Sequence, residues 1–227
     1  MEKTTTARAD PIIPRKRSGI SSALGMAVLA GLCVGASFFF DAAVERWVVA
    51  HRDPAWEAVA KVISRFCAWH WLMGFALVGL VVSWLRRLPE WVRILAAMMI
   101  ASSIAGLSAD CIRGLTGRTR PNADAPQGWY GMRHDSMWLV GRHAYNAFPS
   151  GHTAAATAFA AVAWFSHRKR GALLLLMAAA VGASRIYLGN HHFSDVITGA
   201  LLGAGVAAWV WLRLMKKLRW GSNPLGA

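Results

Sequence analysis

The chain has 227 residues, of which 56% are hydrophobic and 16% charged, and its mean hydropathy is +0.36. That apolar share exceeds the roughly 45–50% of soluble domains and is gathered into long runs, which excludes an ordinary water-soluble globule. The net charge of +14 would suit a nucleic acid, but the basic residues form short clusters between apolar runs rather than one stripe, so no nucleic-acid partner is expected.

Residues 1–18 are polar, basic and proline-containing, and read as a disordered cytoplasmic tail. The first apolar run, from about Ile20 to Phe40, is longer than the roughly 7–15 residues of a signal-peptide core and is expected to be a retained span. Residues 41–69 mix Asp41, Glu45, Arg46, Arg52, Asp53, Glu57, Lys61 and Arg65 with Val, Trp and Ala, which predicts one or two amphipathic helices at the membrane surface. Further apolar runs lie near residues 70–85, 91–112, 151–166, 172–190 and 196–214, the last three crowded with the Ala, Gly and Ser that close helix packing in lipid requires. The expected fold class is therefore all-α: a polytopic membrane protein with six transmembrane helices in a bundle over 19–215, short amphipathic helices outside, and a basic cytoplasmic tail over 216–227. Cys33, Cys67 and Cys111 lack metal-type spacing and read as small buried hydrophobes. The tryptophans fall mostly near run ends, as interfacial belts do.

Most lysines and arginines fall in segments that alternate with the spans, around 3–17, 86–93, 168–170 and 213–219. This bias puts both termini in the cytoplasm. Three polar clusters then share the opposite face. The first runs from Arg113 to Arg120-Pro121, the second is Pro149-Ser150-Gly151-His152, and the third runs from Ser184-Arg185 through His191 to Asp195. The first two lie on one loop, and two crossings return the chain before the third.

Arg113, Arg120 and Arg185 meet on that face with few acids beside them, and converging guanidiniums suit a phosphate. Ser150 is a plausible N-cap of the fourth span, where free N–H groups favour an anion, and glycine at 151 lets the backbone approach it. His191 and Asp195 are spaced i, i+4. On a helix, Asp195 could hold one ring nitrogen and free the other for attack, or cap the sixth span, or both. His152 could serve as general acid, then as base for water. No metal site and no cofactor is expected.

These clusters resemble the three-part signature of the type-2 phosphatidic acid phosphatase superfamily, K-x6-RP, PSGH and SR-x5-H-x3-D. The second and third parts match at every defined position, while Arg113 stands where the family usually has lysine. The resemblance covers about 90–215. It implies His191 as nucleophile, Asp195 as its orienter and His152 as general acid, with phosphate held by Arg113, Arg120, Ser150, Gly151 and Arg185. It further implies a lipid phosphate phosphatase working through phosphohistidine, in an extracytoplasmic site of a membrane, in bacteria the inner membrane. Undecaprenyl diphosphate, phosphatidylglycerol phosphate and phosphatidate fit as substrates. Lipid A phosphatase and lipid phosphotransferase use the same residues. A vanadium haloperoxidase is disfavoured by the spans, and a non-catalytic lipid module by the intact histidines.

Other residues carry weaker expectations. His192 should point away from His191, Asp110 should pair with Arg113, and Arg118 should support the loop. Arg133, His134, Arg142 and His143 should form either solvated loop surface or a headgroup-reading lid.

Overall fold

The computed structural model describes residues 19–66 and 69–215; the two expected tails and Cys67 lie outside the described residues. Seven α-helices make up most of the described residues: α1 (Gly19–Ala50), α2 (Pro54–Phe66), α3 (Trp69–Leu85), α4 (Pro89–Thr116), α5 (Gly151–Ser166), α6 (Arg168–Tyr187) and α7 (Phe193–Val210). A π-helical turn, Trp211–Met215, continues α7. The 117–150 loop holds a small antiparallel hairpin, β1 (Arg133–His134) against β2 (Met137–Trp138), and a 3-10 turn at His143–Tyr145.

The sequence sets these boundaries by familiar chemistry. Pro89 stands at the start of α4, where its missing N–H costs nothing. That helix stops at Gly117, which adopts the left-handed conformation (φ 56°) and returns its N–H to the Arg113 carbonyl at 3.2 Å. A Cβ at Gly117 would lie 2.0 Å from the Gly131 carbonyl oxygen, so the helix end and the loop meet there through bare backbone. Ser150 caps α5 and accepts from the Thr153 amide at 3.5 Å, as its position suggests.

All six apolar runs are helical, but the first is longer than expected. The chain stays in α1 through Asp41, Glu45 and Arg46 to Ala50, and only α2 forms a separate polar-faced helix, with Glu57, Lys61 and Arg65 one turn apart. Asp41 does not break the span because its carboxylate is fully used inside the bundle, as described below.

Alanine-rich α5 is the central element, packed by α4, α6 and α7, and most of its residues from Gly151 to Ala163 are buried. Its small side chains let neighbouring backbones close in. On α7, a Cβ at Gly199 would sit 2.5 Å from the Ser150 carbonyl oxygen, and one at Gly203 2.3 Å from that of Ala154. On α6, Gly182 leaves room for Val196 of α7. The core is Ala101, Ala105 and Ala109 of α4, Ala154, Ala158 and Val162 of α5, and Ala207 and Val210 of α7.

The outer surface is the reverse. Leu32, Phe39, Leu77, Val78, Leu107, Leu173, Leu176 and Leu212 are all exposed, a distribution suited to lipid rather than water. Helices Leu24–Ala50, Pro89–Thr116, Arg168–Tyr187 and Phe193–Leu214 are long and apolar enough to cross a membrane, and α2 with α3 makes a fifth span if the pair is one span bent by 50°. Cys33 and Cys111 are exposed on these outer faces, contrary to the buried position expected for them. A thiol is apolar enough for a lipid-facing surface, so the outer face accepts it as readily as a core does.

Candidate active site

His191 lies in the turn between α6 and α7, two residues ahead of α7, and is almost wholly buried at 1% exposure. Its Nδ1 is 2.7 Å from the main-chain carbonyl oxygen of Ala147. A carbonyl only accepts, so Nδ1 carries the proton and Nε2 keeps its lone pair. Nε2 is buried and has no hydrogen-bond partner among the described residues. A buried nitrogen left in that condition is uncommon in folded proteins and points to a reactive or ligand-binding role.

Asp195 is placed differently from the sequence reading. Because His191 is in a turn, the two do not share a helix, and the carboxylate stays 3.7 Å from Nδ1, beyond hydrogen-bonding distance. The orienting bond expected from Asp195 is made by Ala147 instead. Asp195 Oδ2 accepts from the His192 amide at 2.8 Å, closing the first turn of α7, and Oδ1 accepts from Arg118 at 2.6 Å. Of the two jobs considered for Asp195, capping is the one its hydrogen bonds perform.

The three arginines do converge. Burial, aided by the charges of Arg120, Arg185 and Arg113, holds the His191 imidazole well below the ordinary value of 6.5. His191 is therefore neutral at physiological pH. Arg120, pushed down to about 10 by burial and by Arg185 and Arg113, remains a cation there.

Each guanidinium has its own support. Arg120 gives Nε and Nη2 to Asn146 Oδ1 (3.1 and 2.8 Å), and its Nη1 reaches His143 Nε2 (2.8 Å) and Asn190 Oδ1 (3.3 Å). Arg185, on the last turn of α6, donates Nη1 to Ser64 of α2 at 2.6 Å, while its buried Nε has no partner among the described residues. Arg113 is paired with Asp110 one turn back, as its spacing suggested.

Gly151 has a second reason to be glycine. A Cβ there would lie 2.8 Å from Arg113 Nη2, so the missing side chain makes room for a protein guanidinium and not only for a phosphate. The planar arginine that replaces the usual lysine fills that space. His152, the second residue of α5, lines a cavity of about 410 Å³ with Trp69, Ser103, Leu107, Asp110 and Arg113.

Several residues that the sequence left in the background prove central. Arg118 is 7% exposed and joins Asp41 of α1 (2.7 Å), Ser194 (2.7 Å) and Asp195 (2.6 Å), with its guanidinium over the Phe38 and Trp129 rings. It ties three elements together and does more than brace a loop. His192 points away from His191 as expected, its Nε2 donating to the Thr119 carbonyl at 3.1 Å. His143 leaves the solvated loop to contact Arg120, whereas Arg133 and His134 stay on the exposed hairpin. The overlooked signals were an acid, Asp41, directly after some twenty apolar residues, and Ser64, a small polar residue on the buried face of an amphipathic helix.

The sequence pattern of the PAP2 superfamily matches residues 90–219. The chain belongs to that superfamily. Among its relatives is the bacitracin transport permease protein BcrC of Bacillus licheniformis, 33% identical over 62% of this chain and 66% of that one, so the chain spans just under two thirds of its length. Another is the decaprenylphosphoryl-5-phosphoribose phosphatase of Mycobacterium tuberculosis, 33% identical over 69% of this chain and 80% of that protein. The fold is shared with a transmembrane PAP2-type phosphatidylglycerolphosphate phosphatase from Bacillus subtilis, with a TM-score of 0.59 over 91% of this chain and 98% of that one at 23% identity. Superfamily membership and the apolar helices together make this an integral membrane protein.

Proposed function

We propose that this protein is a membrane lipid phosphatase that removes phosphate from a phosphomonoester or diphosphate through phosphohistidine at His191. One observation carries the reading: a buried, neutral imidazole whose Nε2 is unpartnered among the described residues, in the field of three guanidiniums. Nε2 attacks phosphorus as the bond to the lipid oxygen breaks, and His152 gives that oxygen its proton. Arg113, Arg120 and Arg185, with the amides at the start of α5 behind Ser150 and Gly151, balance charge on the non-bridging oxygens. His152 then takes a proton from water as the water attacks phosphorus, the P–N bond breaks, and neutral His191 returns with inorganic phosphate. Asp195 contributes by fixing the start of α7.

The substrate we favour is a polyprenyl diphosphate or a glycerophospholipid phosphate such as phosphatidylglycerol phosphate or phosphatidate. Lipid A phosphate, or transfer of the phosphoryl group to a second lipid, is the alternative at the same site. The names of the mycobacterial and Bacillus subtilis relatives support the lipid class. We further propose six crossings, α1 and α3 through α7, within one domain over 19–215, in a bacterial inner membrane with both termini cytoplasmic. Helix α5, with 16 residues, is only about 24 Å long. That is short of a roughly 30 Å hydrocarbon core, which suits a helix whose N-terminus opens into a site at the membrane boundary.

The test is a phosphate-release panel over those four lipids with purified protein in detergent, alongside His191→Ala. Release from at least one lipid and its loss in the variant are expected. Normal turnover by folded His191→Ala removes the nucleophile from the scheme. Labelled product appearing on an added acceptor lipid, rather than as free phosphate, selects the transferase.

A further inference from the structure

Asp41 belongs to α1, well outside the residues that carry the superfamily signature. It is the first charged residue of α1, placed directly after some twenty apolar residues and followed by Glu45 and Arg46, with 12% of its side chain exposed. A charge in such a helix is costly unless it is paired and in use. Asp41 Oδ1 accepts from the Ser194 amide at 2.8 Å, and Oδ2 accepts from Ser194 Oγ at 2.7 Å and from Arg118 Nη2 at 2.7 Å.

Ser194 is the second residue of α7, so its amide is one of the first-turn donors that a helix cannot satisfy internally. That donor is capped from another helix. Asp195 caps the neighbouring His192 amide, and Arg118 lies between the two carboxylates. The turn bearing His191 enters α7 through this clamp. From its other side the imidazole is held by Ala147, whose own amide donates to the Arg118 carbonyl at 3.0 Å. Arg118 therefore connects with both supports of the ring, and Asp41 is the anion that anchors Arg118 on the α1 side.

We infer that Asp41 is a positioning residue: a carboxylate of α1 that caps α7, anchors Arg118 and so sets the ring of His191 against the phosphate-binding arginines. This rests on the phosphatase reading for its kinetic consequence, but not for its structural one. Asp41 makes its hydrogen bonds and ion pair with Ser194 and Arg118 and not with Arg113, Arg120 or Arg185, so its loss should reduce turnover and leave anion affinity in place.

The test uses the full chain in detergent with Asp41→Asn, which keeps an acceptor for the Ser194 amide but loses the charge facing Arg118, and with Asp41→Ala. Arg46→Gln, on the exposed side of the same helix, is the control. Three measurements are made: kcat and KM on the best lipid substrate, vanadate affinity by thermal shift, and the His191 Nδ1–H resonance in 15N-histidine spectra, assigned with His191→Ala. For Asp41→Asn a fall in kcat of about tenfold or more is expected, with Asp41→Ala lower still, because small misplacements of a reacting group cost about that much. KM and vanadate affinity should stay within about threefold, as expected when ground-state binding is untouched.

The His191 Nδ1–H signal should broaden or shift in the Asp41 variants and not in Arg46→Gln. Parallel loss of kcat, vanadate affinity and folding would make Asp41 a merely structural residue and overturn the inference. So would an unchanged kcat with an unchanged imidazole signal. If the wild-type chain releases phosphate from none of the lipids, the phosphatase reading fails by itself, and the imidazole signal still decides the role of Asp41.

Discussion

Adding one methyl group at the α5–α7 seam should slow the proposed phosphate release without touching any charged residue. In Gly199→Ala, the new Cβ would begin 2.5 Å from the Ser150 carbonyl oxygen, 3.3 Å from its carbon and 3.4 Å from the Ala154 amide nitrogen. All three are backbone atoms, so no side chain can swing aside. Bringing the closest contact to an ordinary separation of about 3.4 Å requires the helices to part by about 0.9 Å. Ser150, Gly151 and His152 move with α5, while His191 is tied to the α7 side. A displacement near 1 Å in a reacting pair costs on the order of 100-fold in rate, so kcat should fall by between about 10- and 100-fold.

Overpacking of this kind should also lower stability by about 1–3 kcal/mol, seen as a lower melting temperature in detergent. Gly205→Ala, on the same helix but facing open space, should stay within about twofold of wild type and gain a little from helix propensity, at most ~1 kcal/mol. Phosphate release over a substrate series separates kcat from KM. A Gly199→Ala enzyme turning over within about threefold of wild type would refute the claim that bare backbone contact sets the distance between the two histidine-bearing elements.

Two further outcomes follow from the same geometry. Ser64→Ala removes the hydrogen bond that holds Arg185, and should raise KM or weaken vanadate binding by about fivefold, the equivalent of ~1 kcal/mol, with a smaller effect on kcat. An unaltered anion affinity would show that α2 does not orient Arg185. Stability should fall with acid. His191 and His192 are both held below their ordinary value of 6.5, chiefly by burial, so in the fold they stay neutral while the unfolded chain takes up protons. Their neutral burial is therefore without penalty above about pH 7, and each group removes up to ~1.4 kcal/mol per pH unit as the pH falls below about 6.5. Melting temperatures from pH 7.5 to 5 check this, and His191→Gln should flatten the slope.

Much of this was written in residue order. The six apolar runs, the Ser150 cap, the Asp110–Arg113 pair and the gathering of three arginines about two histidines all followed from periodicity, spacing and the parity of crossings. What escaped is what linear patterns do not encode. The partner of His191 is a main-chain carbonyl 44 residues away, and every residue has a carbonyl. Asp41 looked like the end of a span because its neutralising partners, Arg118 and Ser194, are distant in sequence. The i, i+4 spacing of His191 and Asp195 suggested one helix, but α7 begins between them, and the aspartate serves the helix start. The glycine at 151 read as room for a ligand, and only the folded position of Arg113 reveals its second occupant.

The use of a peptide carbonyl to hold the ring of the proposed nucleophile also bears on how the protein can vary. Ala147 can change its side chain without deleting that acceptor, and an amide oxygen does not titrate between the acid and alkaline limits of any cell. The acceptor that fixes the tautomer of His191 thus cannot be deleted by substitution at its own position and does not titrate, whereas an aspartate in that role would be open to both. Inherited change reaches this imidazole chiefly by shifting the course of the main chain, through the glycines and the clamp that fix where the helices lie.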